Sequence, residues 1–263
     1  MIDVSKKKRI VLKLGTSTLT HKTGKLNIRR MTNLVRILSD LHNEGRELLL
    51  VSSGAVGMGV GKLSLSARPT DMSSKQACAA VGQCELMYTY DRLFGQYNHT
   101  VAQMLLTWED FDHENRLHNL QNTLERLLQL HAIPIINEND PVACEEYSLG
   151  DNDTLAALVA KCIHADLVVL MSDIDGLYTA DPHTHPEAKL LHHVAGIDDH
   201  IREIAGISSS TQGTGGMVTK LHAADICLGC GCKMVIANGN NPGNLYDILE
   251  GKTVGTTFSE ERL

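Results

Sequence analysis

Aromatic side chains and positive charge are both scarce in this sequence. Only 4% of its 263 residues are Phe, Trp or Tyr, and 24 Lys and Arg residues stand against 31 Asp and Glu residues. A nucleic-acid groove needs basic residues and stacking rings, so this composition argues against a nucleic-acid partner. No apolar run is long enough to span a bilayer, and no apolar segment follows the basic run Lys6–Arg9 as it does in a signal peptide. We therefore expect neither a nucleic-acid nor a membrane partner.

The seven cysteines are odd in number and scattered, which is typical of a reduced, cytoplasmic protein. Cys227, Cys230 and Cys232 lie close together, but no further ligand group stands near them in sequence. The thirteen histidines also lack the spacing of a zinc site. We predict a cytoplasmic location and no metal site built from protein side chains.

Short apolar runs alternate with amphipathic segments along the chain. The runs predict strands at 10–14, 48–51, 100–106, 133–137, 167–171, 234–237 and 253–258. Helices are predicted at 28–44, from 73 through 93, and at 113–131, 155–163 and 217–228, the first of them capped by Asn27 with Ile28 on its inward face. Strands separated by helices indicate a mainly parallel sheet covered on both faces. Since no repeat or linker interrupts the chain, we predict a single domain over residues 1–263.

The first predicted strand carries a lysine near its end. Lys13 interrupts an apolar run, and Gly15 ends the strand ahead of the hydroxyls of Thr16 and Ser17. An ammonium at the end of a buried strand loses hydration and needs an anion nearby. Ligands of open α/β sheets bind beyond the carboxyl ends of the strands, which favours a phosphate site here. The alternative is a lysine that only extends out of an edge strand into solvent.

Two further loops combine glycine with groups that suit an anion. Ser53 and Gly54 follow the second strand, where a turn into a helix exposes backbone N–H groups. The later glycines at 57, 59 and 61 are explained more simply by close helix packing. The loop at 213–220 enters a helix with Lys220 one turn in, so a phosphate would meet N–H groups and an ammonium together. Two lysines in such loops, far apart in sequence, indicate a shared phosphate site.

Clusters of amide and carboxyl side chains follow other strands. One is Asn137-Glu138-Asn139-Asp140, and the other is Gly150-Asp151-Asn152-Asp153 at the start of a helix. Turn formation and helix capping explain some of these residues. Together the clusters favour recognition of an ammonium or orientation of lysines. Ser172-Asp173 also follows a strand, and taken alone it is better explained by an ordinary acidic turn.

In these motifs the chain resembles the amino acid kinase family. The similar segments, in chain order, are 11–17, 51–55, 103–107, 136–140, 150–153, 176–182 and 213–220. The resemblance implies an α/β fold, a three-layer αβα sandwich around a mainly parallel sheet. It also implies transfer of the γ-phosphoryl group of ATP to the side-chain carboxylate of L-glutamate, as in the first step of proline synthesis. Mg²⁺ would act with ATP, bound mainly by ATP oxygens.

The resemblance assigns roles to individual residues. Lys13 and Lys220 would stabilise charge during transfer, and Asp153 would orient them. The candidates for binding glutamate are Ser53, Asp140 and Asn152, with Gly54, Asn137 and Asp151 as weaker candidates. The candidates for binding ATP are Lys13, Ser172, Asp173, Thr214, Gly215, Gly216, Met217, Val218, Thr219 and Lys220.

The resemblance carries further expectations about the whole protein. Many family members have a C-terminal domain of the kind found in RNA-modifying enzymes, which we expect this chain to lack. Proline is expected as a feedback inhibitor, and a homo-oligomer is expected in solution. Two alternatives stay open: a kinase of the same fold acting on aspartate or N-acetylglutamate, and a non-catalytic nucleotide sensor. Loss of Lys13 or Lys220 would mark the sensor, and both lysines are present.

Overall fold

The computed structural model describes residues 9–21, 25–143, 151–182, 184–207 and 216–260. The strands in this part of the chain are β1 (Arg9–Leu14), β2 (Glu47–Ser52), β3 (Val101–Leu106), β4 (Ile133–Glu138), β5 (Leu167–Ser172), β6 (His193–Val194), β7 (Lys233–Asn238) and β8 (Thr256–Phe258). The helices are α1 (Thr16–Leu19), α2 (Ile28–Asn43), α3 (Ala55–Lys62), α4 (Met72–Gly95), α5 (Glu109–Asp112), α6 (Glu114–Gln129), α7 (Asn152–Cys162), α8 (Asp199–Ile207), α9 (Met217–Gly229) and α10 (Asn244–Leu249). A 3₁₀ turn lies at Asp140–Val142.

The strands form one sheet in the order β3-β4-β2-β1-β5-β7-β8-β6. Every described pairing is parallel except β7 with β8, which is antiparallel. From β1 the chain adds β2 on one side, and later adds β5 on the other side. Such a reversal of direction opens a crevice at the carboxyl ends of the central strands.

Apolar residues cover both faces of the sheet, which makes the three-layer αβα sandwich that the family resemblance implies. One core joins Val11, Val168 and Ile236 of the strands to helices α6, α7 and α9. The other joins Leu12, Leu50 and Val169 to helices α2, α4 and α10. Because both faces are buried, the central strands are continuous apolar runs, and this is why the sequence predicts them well.

The side-chain alternation of β1 decides where its lysine lies. Ile10, Leu12 and Leu14 belong to the core on the α2 and α4 side, whereas Val11 belongs to the core on the α6, α7 and α9 side. Successive side chains of a strand point to opposite faces, so Lys13 shares the face of Val11. Its ammonium is therefore directed toward α7 and α9.

Helices α3 and α4 pack closely because glycine removes side chains at their contact. A Cβ built on Gly59 would lie 1.9 Å from the carbonyl oxygen of Cys78, and one on Gly82 would lie 1.8 Å from that of Ala55. No other residue fits without moving a backbone. The prediction that close helix packing explains the later glycines is therefore confirmed for Gly59.

Several elements depart from the sequence prediction. Asn27 caps α2 as predicted, its side chain accepting a hydrogen bond from the N–H of Arg30. The inward placement of Ile28 is wrong, since it is 64% exposed. As the first residue of α2, it precedes the part of the helix that lies on the sheet. The short elements β6, α8 and α10 were not predicted.

Candidate active site

The candidate site residues lie in an order that follows the sheet. Ser53 and Asn137 come from the ends of β2 and β4 on one side, and Ser172 comes from the end of β5 on the other. Lys13 comes from β1 between them. Carboxyl ends of parallel strands meet at one edge, so these residues share a single crevice. The crevice therefore has two halves with a lysine at its centre.

A buried carboxylate joins the two lysines at this centre. Asp153, which is 0% exposed, lies at the start of α7, with Oδ1 at 2.7 Å from Lys13 Nζ and Oδ2 at 3.1 Å from Lys220 Nζ. Thr219 Oγ1 lies 3.2 Å from the same Oδ2. The prediction that Lys13 and Lys220 meet near a carboxylate is thus matched by the structure, although they are 207 positions apart in the sequence.

The charges of this centre are set by burial and pairing together. Burial alone would raise the pKa of Asp153, but the ammonium groups of Lys13 and Lys220 outweigh it and hold the pKa below its usual value. Asp153 is therefore ionised at neutral pH. Two ammonium groups held at one carboxylate can attract a further anion.

Asp151 acts locally as the N-cap of α7. Its Oδ1 accepts hydrogen bonds from the N–H groups of Asp153 at 2.6 Å and Thr154 at 2.9 Å, and Thr154 Oγ1 donates to its Oδ2 at 3.1 Å. Burial raises the pKa of Asp151, although these hydrogen bonds oppose the shift. The cap holds the first turn of α7, and with it Asp153, in place.

Amide side chains connect the β2 and β4 half of the crevice. Asn152 Nδ2 donates to Ser53 Oγ at 2.8 Å and to Asn137 Oδ1 at 3.1 Å. Asn137 Nδ2 in turn donates to Gln83 Oε1 at 3.0 Å. Gly54, next to Ser53, is the N-cap of α3. Its φ of 108° is a backbone conformation that favours glycine. The structure thus brings together four of the predicted substrate residues.

Asp140 lies beside this half of the crevice in the 3₁₀ turn. It lines a pocket of about 390 Å³ together with Gln83, Glu138 and apolar side chains of α4 and β3. Burial, with a smaller contribution from the charge of Glu138, raises the pKa of Asp140 to about 6, while Arg68 opposes the shift. A half-buried carboxylate of this kind gains from binding a cation.

The β5 and α9 half of the crevice contains the nucleotide candidates that the structure describes. Ser172 is buried at the end of β5, and its Oγ lies 3.2 Å from Oδ1 of the exposed Asp173. Gly216 is the N-cap of α9, whose first residues are Met217, Val218 and Thr219. Met217 is buried and Val218 is 57% exposed. Thr214 and Gly215 lie outside the described residues.

Sequence reasoning missed Gln83 as a neighbour of the site. It lies on α4, is 7% exposed, and contacts Asn137 across 54 positions of sequence. A signal for it exists in the sequence. Gln83 precedes the buried Leu86 and Tyr90 by three and seven positions, so a polar side chain stands on the apolar face of the helix.

The described residues contain no group of His, Cys, Asp and Glu side chains suited to holding a metal ion. No described helix is both long and apolar enough to cross a membrane.

One buried carboxylate holds two ammonium groups at the strand ends, beside the start of a helix. These ammonium groups can stabilise a phosphoryl group that moves between two anions. This site and the αβα sandwich define the class of kinases that act on small anionic substrates. The chain belongs to the amino acid kinase family, whose sequence profile matches residues 8–238.

Several relatives in that family are similar over nearly the whole chain. A glutamate 5-kinase from Symbiobacterium thermophilum is 51% identical over 254 residues, covering 97% of each chain. A glutamate 5-kinase from Clostridium perfringens is 49% identical over 255 residues, covering 95% of each. Among solved structures, the carbamate kinase from Giardia lamblia bound to AMP-PNP has a TM-score of 0.67 at 16% identity, covering 98% of this chain and all of that one. This last likeness concerns the fold alone.

Proposed function

We propose that the protein transfers the γ-phosphoryl group of ATP to the side-chain carboxylate of L-glutamate, giving L-glutamyl 5-phosphate and ADP. The observation that carries the proposal is Asp153 bound between Lys13 and Lys220 at the centre of the crevice. The high identity to glutamate 5-kinases over almost the full chain supports the choice of substrate. The first step of proline synthesis is the corresponding place in metabolism.

The reaction needs positive charge and alignment more than it needs proton transfer. A carboxylate oxygen of glutamate attacks the γ-phosphorus, and the bond from that phosphorus to the oxygen bridging to the β-phosphate breaks. Negative charge grows on the leaving ADP while the transferred group passes between two anions. Lys13 and Lys220 lie where they can stabilise that charge, and no general base is required because the nucleophile is already ionised.

The two halves of the crevice suit the two substrates. On the β2 and β4 side, Ser53, Asn152 and Asp140 can bind a zwitterionic amino acid: Asp140 pairs with its α-ammonium, and the hydroxyl and amide bind its carboxylates and ammonium. Gly54, Asn137 and Asp151 shape this side. On the β5 side, Ser172, Asp173 and the start of α9 can bind the nucleotide, whose phosphates would then meet the N-terminus of that helix.

Mg²⁺ is proposed as a companion of ATP. The described residues form no cluster of His, Cys, Asp and Glu side chains that fits the ion, and we derive no step from it. Mg²⁺ commonly keeps several waters and binds phosphate oxygens with few protein ligands, so ATP oxygens would supply most of its protein-bound coordination.

The test is ATP consumption with and without L-glutamate, with hydroxylamine added to trap the acyl phosphate as a hydroxamate. We expect hydroxamate only when glutamate and ATP are both present. Aspartate and N-acetylglutamate, assayed in the same way, separate the alternative kinases. ATP binding without turnover on any of the three would favour the nucleotide sensor and contradict the proposal.

Asp140 is the reason for preferring glutamate to its acetylated form. N-Acetylglutamate has no α-ammonium, so it would leave the half-buried carboxylate of Asp140 without a cation. We therefore expect strong rejection of N-acetylglutamate. Aspartate keeps the ammonium but is one methylene shorter, which places its side-chain carboxylate farther from the γ-phosphate.

Further proposals concern the whole protein. We propose that residues 1–263 form one kinase domain and that the protein works in the cytoplasm, where its six described free thiols would stay reduced. Feedback inhibition by proline and assembly into a homo-oligomer remain predictions from the family resemblance. Titrating the activity with proline and measuring sedimentation would test them.

A further inference from the structure

Gln83 reaches the candidate substrate site from α4, which lies on the opposite face of the sheet from α7. It follows Gly82, whose missing side chain lets α4 approach within contact of α3 at Ala55. The Gln83 side chain is buried and reaches the end of β4, where its Oε1 accepts a hydrogen bond from Asn137 Nδ2 at 3.0 Å. The residue also lines the pocket that contains Asp140.

The side chains of Gln83, Asn137, Asn152 and Ser53 form a chain of hydrogen bonds, which we call the relay. Its direction is the assignment of donor and acceptor in each of these bonds. Asn137 donates a hydrogen bond to Gln83. Asn152 donates both to Asn137 Oδ1 at 3.1 Å and to Ser53 Oγ at 2.8 Å. Because each amide has an oxygen side and a nitrogen side, turning one of them sets donor against donor or acceptor against acceptor. The orientations of the three amides are therefore coupled.

The direction of the relay decides what it presents to a ligand. With both N–H groups of Asn152 used, its Oδ1 accepts from no described residue and can receive a hydrogen bond from a cation. Ser53 Oγ accepts from Asn152, so its own hydroxyl hydrogen can be donated to a carboxylate. The opposite direction would present an N–H of Asn152 instead and would repel an ammonium.

This direction of the relay leaves one polar group of the Gln83 side chain unsatisfied. Its Nε2 is buried and has no hydrogen-bond partner among the described residues, an arrangement that costs free energy. Turning the Gln83 amide alone would not remove the cost, because Nε2 would then face the N–H of Asn137. An unsatisfied buried group kept in place by a network often marks a functional constraint.

We propose that Gln83 is a positioning residue for substrate binding: its Oε1 fixes the direction of the Asn137–Asn152–Ser53 relay, and so presents an acceptor to the α-ammonium of the amino acid. This inference rests on the proposed function and adds a residue to it. Gln83 need not touch the substrate. It acts on the substrate through Asn137 and Asn152.

Two substitutions of similar size separate this role from simple packing. Gln83→Met keeps the volume but neither accepts nor donates, so it releases the relay. Gln83→Glu keeps an acceptor toward Asn137 and removes the unpartnered N–H group, so it preserves the direction. Gln96→Met makes the first exchange at the exposed C-cap of the same helix and serves as the control.

The experiment measures KM for glutamate and for ATP, kcat, and the melting temperature of each variant, together with the Kd for glutamate from calorimetry. We expect Gln83→Met to raise the KM and Kd for glutamate about tenfold, as for loss of a well-placed hydrogen bond to a charged group. The KM for ATP should stay close to that of the wild type, because Gln83 lies on the amino-acid side of the crevice. Gln83→Glu, which keeps the acceptor but adds a carboxylate beside Glu138 and Asp140, should weaken glutamate binding less than Gln83→Met does, and Gln96→Met should change nothing.

Three results would overturn the inference. They are an unchanged glutamate Kd in Gln83→Met, equal weakening by Gln83→Met and Gln83→Glu, and equal loss of glutamate and ATP binding accompanied by a lower melting temperature. Wild-type protein that binds glutamate but forms no hydroxamate would contradict the proposed function alone, and the Kd comparison would still decide the role of Gln83. Wild-type protein that binds no glutamate would contradict both.

Discussion

Asp153 pairs with two lysine ammonium groups that the fold buries at the carboxyl end of the sheet. The side chains of Lys13 and Lys220 are only 12% and 5% exposed. Burying one ammonium without an anion costs several kcal/mol, so a shared carboxylate is what allows two of them in one place. A phosphate placed at this point meets both ammonium groups. At the residue scale, the site is a pair of ammonium groups that one buried carboxylate holds in place beside the crevice.

Removing either lysine should slow the reaction far more than it weakens ATP binding. If Lys13 and Lys220 stabilise charge that grows during transfer, Ala at either position should lower kcat by about 10²–10³. Steady-state kinetics would measure kcat and the KM for ATP. Lys62, which is exposed and pairs with Glu85, offers a matched control: Lys62→Ala should leave kcat unchanged. Near-normal kcat in Lys13→Ala would remove that residue from the mechanism.

Asp140 should make glutamate binding depend on pH. Its pKa is raised to about 6 by burial first and by Glu138 second, so it loses its charge as the pH falls below that value. An uncharged Asp140 cannot pair with the α-ammonium, and the KM for glutamate should rise about tenfold per pH unit below about 6. Asp140→Ala should raise this KM about 10- to 100-fold at neutral pH and abolish its pH dependence. The KM for ATP, measured in both proteins, controls for titration elsewhere. A parallel pH profile in the two proteins would contradict the assignment.

The raised pKa of Asp140 also predicts that the folded protein loses stability as the pH rises, whereas glutamate binding becomes stronger. The folded protein holds the proton on Asp140 more tightly than the unfolded chain does, so the folded state loses stability as pH rises from about 4 to about 6. Asp140→Asn removes that loss. We expect it to be more stable than the wild type at pH 8 by about 1 kcal/mol, after allowance for partial exposure, and equally stable near pH 4. Thermal melts at both values would measure this, and a less stable variant at pH 8 would show that Asp140 has a structural role.

Much of the site could be predicted from the residues alone because its groups interrupt strong local patterns. Lys13 stands in an apolar strand, and Asp151 to Asp153 crowd the first turn of a helix. Gln83 was not found because its partner, Asn137, is 54 positions away and its own helix is long and otherwise ordinary. The role of Asp153 beside both lysines was expected from the family resemblance, since a local pattern does not contain the distance between residues far apart in sequence.

At the scale of elements, the close contact of α3 with α4 should be intolerant of a single methyl group. A Cβ on Gly82 would overlap the carbonyl oxygen of Ala55, so Gly82→Ala must push the helices apart, at a cost of about 1–3 kcal/mol. The control is Gly95→Ala in the same helix, where nothing lies within 4 Å of the added atom. That change should be neutral or stabilising, by up to about 1 kcal/mol. Urea unfolding of both variants gives the comparison, and equal stabilities would argue against a rigid contact.

Elements were predictable from sequence where burial was complete. The buried strands β1, β2, β4, β5 and β7 are apolar runs, and α2 and α6 have clear apolar stripes. The two-residue strand β6 and the six-residue helix α10 are too short to show a period. They form because neighbouring parts of the sheet hold them.

At the scale of the whole molecule, one sheet joins both substrate halves, so we expect the chain to unfold as a unit. A single transition in calorimetry, coincident with loss of circular dichroism, would agree with the proposed single domain. ATP should raise the midpoint of that whole transition, since a ligand that binds only the folded state stabilises by mass action. Two separable transitions, with only one shifted by ATP, would contradict the proposal.

The alternation of side chains along β1 restricts the length of this strand during evolution. Lys13 faces α7 and α9 only because it stands one position, an odd count, from Leu12 and from Leu14, which lie on the opposite face. Exchanging Val11 for another aliphatic residue preserves that count. Insertion or deletion of one codon within the strand would turn the ammonium into the opposite core and an aliphatic chain toward Asp153. Lineages of this gene should therefore accumulate point substitutions in β1 while its length stays constant.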